Sequence, residues 1–349
     1  GLARVMPGHM GRGVSKGLAR VMLVSVGYTW ASCIAVTPGG HVLTNRHVVE
    51  RYLDKTKQEK NDESDSLLDK RYTLRVRVLG ENIQTTNRGG TTSGHNRSKD
   101  PEIYGNSSYD VGWCEASLED VGRDGWDYAI VKVKLPKGVT LVAGEHPCGG
   151  NMNPTCGETA LVIGHGIFSP TYRLRPMVTR GVVSKLCNAE IARDSAKENV
   201  VVAIMTSAAV HQGNSGGALF DAHGNLLGMV TCNMGHVPLL PIPQSNGEFK
   251  RYPQLVHSRV SLSIPMSLLS PLIRACRGVE GVQNRKQRRR VFEAARPIIS
   301  AEETVWGIIS EDPKGNPFDV PGRKGPRSEK FNQVVQKSRQ QQTPGRSML

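Results

Sequence analysis

The stretch that decides the fold is Gly213-Asn214-Ser215-Gly216-Gly217, in which glycines flank a serine. A serine hydroxyl is a weak nucleophile at neutral pH unless an imidazole accepts its proton. The glycines permit a tight turn that directs backbone N–H groups, those of Gly213 and Ser215 in particular, at one point. The stretch predicts a nucleophile, Ser215, with an oxyanion hole within Gly213, Asn214 and Ser215. Similar strings occur in ordinary loops, so partners elsewhere in the chain must decide.

A candidate base, His47, stands in the stretch Thr44-Asn45-Arg46-His47-Val48-Val49. It follows a strand-like apolar run at 33–36, a turn at 37–40 and a second short strand at 42–44. A histidine that ends a hairpin is well placed to face a cleft. The order histidine, carboxylate, serine along the chain suits one known way of building a catalytic triad.

The candidate carboxylate is Asp127, which directly precedes the apolar run 128–133. A buried strand there would hold the carboxylate rigidly while its oxygens orient the imidazole. Asp120 and Asp124 are alternatives for this role. Both lie in the polar stretch 119–124 and neither is followed directly by a strand, so we prefer Asp127.

Three motifs, Thr-Asn-Arg-His-Val-Val, Trp-Asp-Tyr-Ala-Ile-Val and Gly-Asn-Ser-Gly-Gly, resemble those of trypsin-fold serine proteases of the Deg/HtrA kind. Further stretches resemble the leader-peptide-processing proteases of peroxisomes and glyoxysomes, and they are 30–33, 162–168, 209–213, 252–254 and 263–265. The resemblance covers residues 17–273, with looser similarity near Trp306. It implies an all-β fold of two packed antiparallel six-stranded β-barrels, with His47, Asp127 and Ser215 between them. Cys33 stands where glycine is expected.

The pattern of strands and polar stretches divides the chain into four parts. We expect a disordered N-terminal leftover at 1–16, a first barrel at 17–140, a second barrel at 141–277 and a basic flexible tail at 278–349. Polar stretches at 52–70 and 85–110 predict mobile insertions in the first barrel. The second barrel is expected to end in a helix after Pro265 that tolerates Pro271 only near its first turn. Residues 1–6 recur as 17–22, and with no initial methionine a fragment is expected.

Composition agrees with many short strands. The chain of 349 residues has 38 glycines, 20 prolines and 5% aromatic residues. Leu74-Arg75-Val76-Arg77-Val78 alternates as a half-buried strand does, and 200–205 is the pattern of a more buried strand. These features favour antiparallel barrels over helical folds.

The net charge is +14, of which residues 274–349 carry +8 through 16 basic and 8 acidic side chains. The run 285–290 is almost wholly basic. It lacks interleaved aromatic residues that would stack on bases, so a solvated tail is preferred to a nucleic-acid site. Contact with an acidic partner is the more favoured alternative, and a homo-oligomer is left open.

Seven cysteines at irregular spacing, with no secretory leader apparent, indicate free thiols in a chain that is not secreted. The spacing of His146, Cys148 and Cys156 fits no familiar zinc pattern, so neither a metal nor another cofactor is predicted. No stretch approaches the ~18 apolar residues of a membrane span. The ending Ser347, Met348, Leu349 resembles the peroxisomal targeting tripeptide Ser-Lys-Leu, which predicts a peroxisomal import receptor as a partner and the peroxisomal or glyoxysomal matrix as the location.

Substrate preference follows from the residues expected around the serine. In this fold the residue six before the nucleophile, here Ala209, lies at the floor of the pocket for the side chain before the cut. Thr231, Cys232 and Asn233 would form one wall, so an uncharged pocket for a small or moderately apolar side chain is expected. The resemblance implies cleavage after cysteine at the end of N-terminal targeting presequences. His211 is interpreted as a structural or pocket-lining residue rather than a second base.

The motifs predict a serine endopeptidase that works through an acyl-enzyme, and the resemblance implies that it removes N-terminal targeting presequences from imported peroxisomal matrix proteins. Two alternatives stay open. One is a general quality-control protease of the same fold, and the other is a non-enzymatic binding module that retains the cleft.

Overall fold

A computed structural model gives the fold of the chain and describes residues 14–15, 17–27, 29–58, 73–85, 111–143, 154–167, 175–193, 196–236, 242–243, 249–250, 255–301 and 304–306. Several sequence-based predictions fall outside these residues. They are the leftover at 1–13, the insertions at 59–70 and 86–110, His146 and Cys148, and the tripeptide Ser347, Met348, Leu349.

The first barrel is closed by six antiparallel strands. They are β1 (Val21–Val26), β2 (Thr29–Ala35), β3 (His41–Thr44), β4 (Leu74–Val78), β6 (Gly112–Val121) and β7 (Ala129–Val133). Their order around the barrel is β1-β2-β3-β7-β6-β4. A separate short pair joins β5 (Ile83–Thr85) to β8 (Val139–Leu141).

The second barrel is also closed by six antiparallel strands. They are β9 (Thr159–Gly164), β10 (Met177–Arg193), β11 (Ala196–Thr206), β12 (Ala218–Phe220), β13 (Leu226–His236) and β16 (Leu255–Pro265). Their order is β10-β11-β16-β13-β12-β9. A two-stranded ribbon of β14 (Ile242–Pro243) and β15 (Phe249–Lys250) precedes β16. The prediction of two six-stranded antiparallel barrels is confirmed.

Burial follows the period of two that the strands require. In β4, Leu74, Val76 and Val78 are buried while Arg75 is exposed. Because alternate side chains of a strand point to opposite faces, this pattern directs the apolar set into the barrel. Cys33, which replaces the expected glycine, is fully buried in β2 and packs in the first barrel's core. A small thiol is a hydrophobic side chain at such a site.

In the described part of the chain, the longer helices that accompany the barrels are α1 (Arg46–Gln58), α2 (Met266–Gly278) and α3 (Arg285–Ala294). Helix α1 continues to Gln58, so the first part of the insertion expected at 52–70 is helical rather than a loop. Helix α2 follows Pro265 as predicted, but Pro271 lies in its second turn rather than near its first. Among the described residues, no helix is long and apolar enough to cross a membrane.

Part of the stretch predicted as a basic flexible tail, from residue 278 onward, is helical and packed instead. Helix α3 occupies Arg285–Ala294, and Asn284 caps it by accepting bonds from the amides of Lys286 and Gln287. Phe292 and Trp306 are buried. The prediction weighed the basic residues of this stretch and gave too little weight to its scattered large apolar side chains, whose burial favours packing.

Candidate active site

The barrel topology brings His47 and Asp127 together. Strand β3 pairs with β7 in a register that places Thr44 opposite Ala129. Because the pair is antiparallel, the end of β3 meets the start of β7 at one edge of the barrel. His47 follows β3 and Asp127 precedes β7, and Nδ1 of His47 lies 2.7 Å from Oδ2 of Asp127. The backbone amide of His47 donates to Oδ1 at 2.9 Å.

The environment of His47 sets its proton affinity. Burial lowers the pKa of His47, but the hydrogen bond and charge of Asp127, helped by the charge of Glu50, outweigh it and leave the pKa above the ordinary 6.5. The imidazole is 46% exposed and the carboxylate 23% exposed. An exposed, oriented imidazole with raised basicity can accept a proton from a hydroxyl.

The turn that carries Ser215 belongs to the second barrel and docks on β2 of the first. The amide of Ser32 donates to the carbonyl of Ser215 at 2.9 Å. The hydroxyl of Ser32 donates to the carbonyl of Gly213 at 2.8 Å and accepts from the amide of His165 at 2.7 Å. Ser32 therefore fixes the serine turn from both ends, although the sequence analysis assigned it no role.

Glycine is required at two positions of this turn. Gly213 has φ +95°, and a Cβ placed on it would lie 2.3 Å from the carbonyl oxygen of His165. Gly216 has φ +77°, and its Cβ would lie 2.1 Å from the carbonyl oxygen of Ser32. Side chains would clash with backbone at both positions, where φ is also unfavourable for residues other than glycine.

The three residues predicted for the oxyanion hole differ in what their amides do. The amide of Asn214 donates to the carbonyl of His211 at 3.0 Å, so it is already engaged. Within the part of the chain that the structure describes, the amides of Gly213 and Ser215 have no acceptor. The pair Gly213 and Ser215 is therefore the one free to bind an oxyanion.

The hydroxyl of Ser215 donates to the carbonyl of Thr231 at 3.1 Å rather than to His47. Asn45 connects this part of the site to the histidine side. Its Nδ2 donates to the carbonyl of Asp127 at 2.9 Å and to Oγ1 of Thr231 at 3.2 Å. Sequence reasoning quoted Asn45 within its histidine motif but missed this bridge, since a motif does not show which residue across the cleft it contacts.

The predicted pocket residues lie on two connected segments. Nδ2 of Asn233 donates to the carbonyl of Val210 at 2.7 Å, which ties the predicted wall to the predicted floor. The carbonyl of Ala209 accepts from the hydroxyl of Thr179 at 2.7 Å. Thr231 is buried, whereas Cys232 is half-buried and burial raises the pKa of its thiol to about 12. None of these residues is ionised at neutral pH.

The alternative carboxylates are engaged elsewhere. Oδ1 of Asp120 lies 2.5 Å from Nη2 of Arg296, and its other oxygen accepts from the hydroxyl of Tyr128 at 3.3 Å. Asp124 lies in an exposed turn with φ +52°. Of the three aspartates considered, Asp127 is the one that contacts His47. Among the described residues, no group of three or more His, Cys, Asp or Glu side chains is arranged to hold a metal ion.

Known proteins show the same domain. A family model described as a trypsin-like peptidase domain matches residues 31–229. The peroxisomal leader peptide-processing protease of Homo sapiens is 30% identical over 162 residues, which is 45% of this chain and 23% of that protein. The serine endoprotease DegS of Escherichia coli (strain K12) is 26% identical over 210 residues, which is 60% of this chain and 52% of that protein.

Among solved structures, the HtrA-type protease AlgW with a tripeptide matches with a TM-score of 0.43 and 19% identity, covering 77% of this chain and 63% of that chain. This chain thus spans 23% of the human relative and 52% of the bacterial one. The family model covers more than half of the 349 residues. The chain belongs to the trypsin-like peptidase family.

Proposed function

We propose that the chain is a serine endopeptidase that works through an acyl-enzyme. Ser215 attacks the scissile carbonyl, His47 accepts the hydroxyl proton at Nε2, and Asp127 keeps the proton on Nδ1 and orients the ring. The amides of Gly213 and Ser215 bind the oxyanion. His47 then returns the proton to the leaving amine, and water attacks the acyl-enzyme by the same route. The 2.7 Å contact of His47 with Asp127, beside a serine turn docked on the same barrel, carries this proposal.

The hydrogen bond from Ser215 to Thr231 fits the state before substrate binds. Bonds between a nucleophile and its base are often absent without substrate and form in the complex. When the Ser215 hydroxyl leaves the carbonyl of Thr231, that carbonyl on β13 becomes available to accept from a substrate amide. The same movement therefore prepares both the nucleophile and a peptide contact.

We propose targeting presequences of proteins imported into peroxisomes as the substrates. The support is a relative named peroxisomal leader peptide-processing protease, at 30% identity in the human protein, and the C-terminal tripeptide Ser347, Met348, Leu349. The tripeptide would bring this chain through the peroxisomal import receptor to the matrix where such presequences are removed. The uncharged residues Ala209, Thr231, Cys232 and Asn233 suit a small side chain before the cut, and cysteine is the proposed one.

A general quality-control protease of the same fold is the second candidate, because relatives named only as serine endoproteases, the DegS proteins, match the chain as well. The two candidates differ in selectivity. A processing enzyme cuts presequence-bearing proteins once, near their N-termini, whereas a quality-control enzyme cuts unfolded proteins at many sites.

The activity is tested with a fluorophosphonate probe that reacts covalently with activated serines. The folded chain should be labelled, and Ser215→Ala should abolish labelling. The variant should have the same unfolding temperature as the wild-type chain, which shows that its fold is intact. If the folded chain does not react with the probe, the proposal of an active enzyme is refuted and the non-enzymatic binding module is the alternative that stays. With an active chain, a cleavage map on a mixture of presequence-bearing and unrelated proteins separates processing from general degradation.

Location is tested separately in cells. A fluorescent fusion that ends in Ser347-Met348-Leu349 should accumulate in peroxisomes, and deletion of these three residues should leave it in the cytosol. Unchanged location after the deletion would refute the targeting role without bearing on the protease activity.

A further inference from the structure

Residues 285–301 and 304–306, called here the C-terminal segment, pack on the stretch of the first barrel that leads to Asp127. This stretch, residues 119–128, is called here the aspartate turn. Nη2 of Arg288 lies 2.7 Å from Oε2 of Glu119 at its start, and both side chains are largely buried. Ionic contacts with this little exposure are screened less by salt than surface pairs are.

The residues on either side of Asp127 are both connected to this segment. Trp126 is buried, and its Nε1 donates to the carbonyl of Ile299 at 2.6 Å. Tyr128 is fully buried, and its hydroxyl donates to Asp120, whose other oxygen binds Arg296. One neighbour of Asp127 is thus held directly by the segment, and the other is held through the Asp120–Arg296 pair.

The middle of the aspartate turn is held as well. The carbonyl of Asp124 accepts from the amide of Ala301 at 2.8 Å and from the hydroxyl of Ser300 at 3.2 Å. Asp124 has φ +52° and Gly125 has φ +81°, so two consecutive residues are left-handed. A non-glycine residue in this conformation is maintained by its surroundings, and here those bonds come from the segment.

The far end of the segment is attached to the other barrel. Trp306 is buried, and its Nε1 donates to the carbonyl of Val202 on β11 at 2.8 Å. Phe292 of α3 is 1% exposed and belongs to the core cluster that contains β11 and α2 residues. The segment therefore connects the aspartate turn of the first barrel to the body of the second.

We infer that the C-terminal segment positions Asp127 against His47, through Arg296 and Trp126, and is part of the catalytic unit. This inference rests on the proposed function, in which Asp127 orients the base. Arg296 and Trp126 are positioning residues because neither touches His47 or Ser215. Loosening the aspartate turn would release the carboxylate from Nδ1 of His47 while the serine turn stays in place, since Ser32 holds that turn independently.

The test compares Arg296→Met, Arg296→Lys and Trp126→Phe with the control Arg289→Met. Arg289 pairs with Glu293 on the exposed side of α3, so its loss removes a charge of the segment without touching the aspartate turn. Arg296→Met leaves the buried Asp120 carboxylate without its cation and can reduce stability. Trp126→Phe breaks the bond to Ile299 without changing any charge. Each variant is first shown to be folded by thermal unfolding.

Two measurements are made on each variant: the rate of fluorophosphonate labelling against pH, and the pKa of His47 by NMR titration. We expect Arg296→Met and Trp126→Phe to be labelled about 10- to 100-fold more slowly than wild type and to have a lower His47 pKa. Arg296→Lys should recover part of the labelling rate and of the pKa, and Arg289→Met should change neither. The direction is diagnostic. Simple removal of the positive charge of Arg296 would raise the pKa of His47, whereas retreat of Asp127 lowers it.

The outcomes separate the two ideas. If the wild-type chain is not labelled but the His47 pKa still falls in Arg296→Met and Trp126→Phe, the proposed function fails and the positioning role stands. The other outcome requires that the wild-type chain is labelled. If the variants Trp126→Phe and Arg296→Met are then folded and keep the wild-type labelling rate, pH profile and His47 pKa, the segment is structural only and the inference is overturned.

Discussion

The carboxylate of Asp127 binds His47 twice, at Nδ1 through Oδ2 and at the backbone amide through Oδ1. The first bond fixes the tautomer in which Nε2 is free to accept a proton, and the second fixes the start of the helix that carries the ring. One side chain thus sets both the chemistry and the position of the base.

We predict that Asp127→Asn lowers the rate of fluorophosphonate labelling by about 10⁴-fold with little change in fold. An asparagine can accept from the His47 amide only through its oxygen, which turns its NH₂ group toward Nδ1. The imidazole would then carry its proton on Nε2 and could not accept one from Ser215. Stopped-flow labelling measures the rate, and loss of less than tenfold would contradict the assigned role of Asp127.

The pH profile gives a second prediction. His47 must be neutral to act, so labelling should fall as the pH drops through its raised pKa. In Asp127→Asn the hydrogen bond and the charge of Asp127, which contribute most to raising this pKa, are lost, while the smaller contribution of Glu50 and the opposing effect of burial remain. The acid limb should therefore move to lower pH in the residual activity of the variant. His223→Gln, which removes an exposed imidazole, is the matched control and should leave the limb in place.

The sequence predicted the parts of the site that local chemistry determines. Glycines around Ser215 must allow positive φ, and an apolar run after Asp127 must be a strand, so these assignments follow from single residues and their neighbours. Side-chain contacts between distant parts of the chain could not be predicted from the sequence. Ser32 and Asn45 act by contacts 181 and 186 positions away along the chain, and no local pattern reveals such partners.

The C-terminal segment shows a different limit. Its charge density predicts a solvated tail, because most basic runs have no buried partner. Arg288 and Arg296 do have partners, but Glu119 and Asp120 are known as partners only once the barrel is folded. Asn284 is a local signal of order besides the large apolar side chains, since asparagine before a polar run is a favourable helix cap.

The geometry of the oxyanion turn predicts the effect of Gly213→Ala. The new Cβ would meet the carbonyl of His165 at 2.3 Å in a backbone with φ +95°, so the turn must move and its amides lose their alignment. Labelling should fall by about 10²- to 10³-fold, the effect of losing one oxyanion donor. Gly278→Ala is the control because a Cβ there meets no atom within 4 Å. Equal rates in the two variants would show that Gly213 does not form the hole.

Two buried histidines predict acid sensitivity of the fold. Burial, with the charges of Lys132 and Arg288, lowers the pKa of His41 to about 3, and burial with Arg77 lowers that of His165 to about 4. The carboxylate of Glu280, 3.8 Å from His41, is half-exposed and does not reverse this shift. Below pH 6.5 the unfolded chain binds protons that the folded chain does not, so stability is lost as pH falls from 6.5 toward these values.

Each histidine should contribute a slope of up to about 1.4 kcal/mol per pH unit, between about pH 6 and 4 for His41 and above about pH 5 for His165, whose folded form begins to bind a proton near its pKa of about 4. His41→Leu should remove the contribution of His41 to the slope, because leucine binds no proton. The local backbone should be kept, since the hydroxyl of Thr37 still accepts from the backbone amide at position 41. Urea unfolding at several pH values measures the slope. An unchanged slope in His41→Leu would mean that His41 is protonated in the folded protein.

Asn45 yields a prediction about the interface between the barrels. Its Nδ2 donates to the carbonyl of Asp127 and to the hydroxyl of Thr231, while its buried Oδ1 has no partner among the described residues. Asn45→Ala removes two bonds and leaves two acceptors unpaired, at a cost of about 2–3 kcal/mol in the free energy of unfolding. Loss of the unpaired Oδ1 offsets part of this cost.

The labelling rate shows whether Asn45 aligns the catalytic residues or only stabilises the packing of the two barrels. Because Asn45 joins the Asp127 backbone to the residue whose carbonyl binds Ser215, Asn45→Ala should also slow labelling by about tenfold through misplacement of the two halves of the site. Gln212→Ala, at an exposed position near the serine, is the control for both measurements. If Asn45→Ala loses stability but labels at the wild-type rate, the residue supports the barrels without aligning the site.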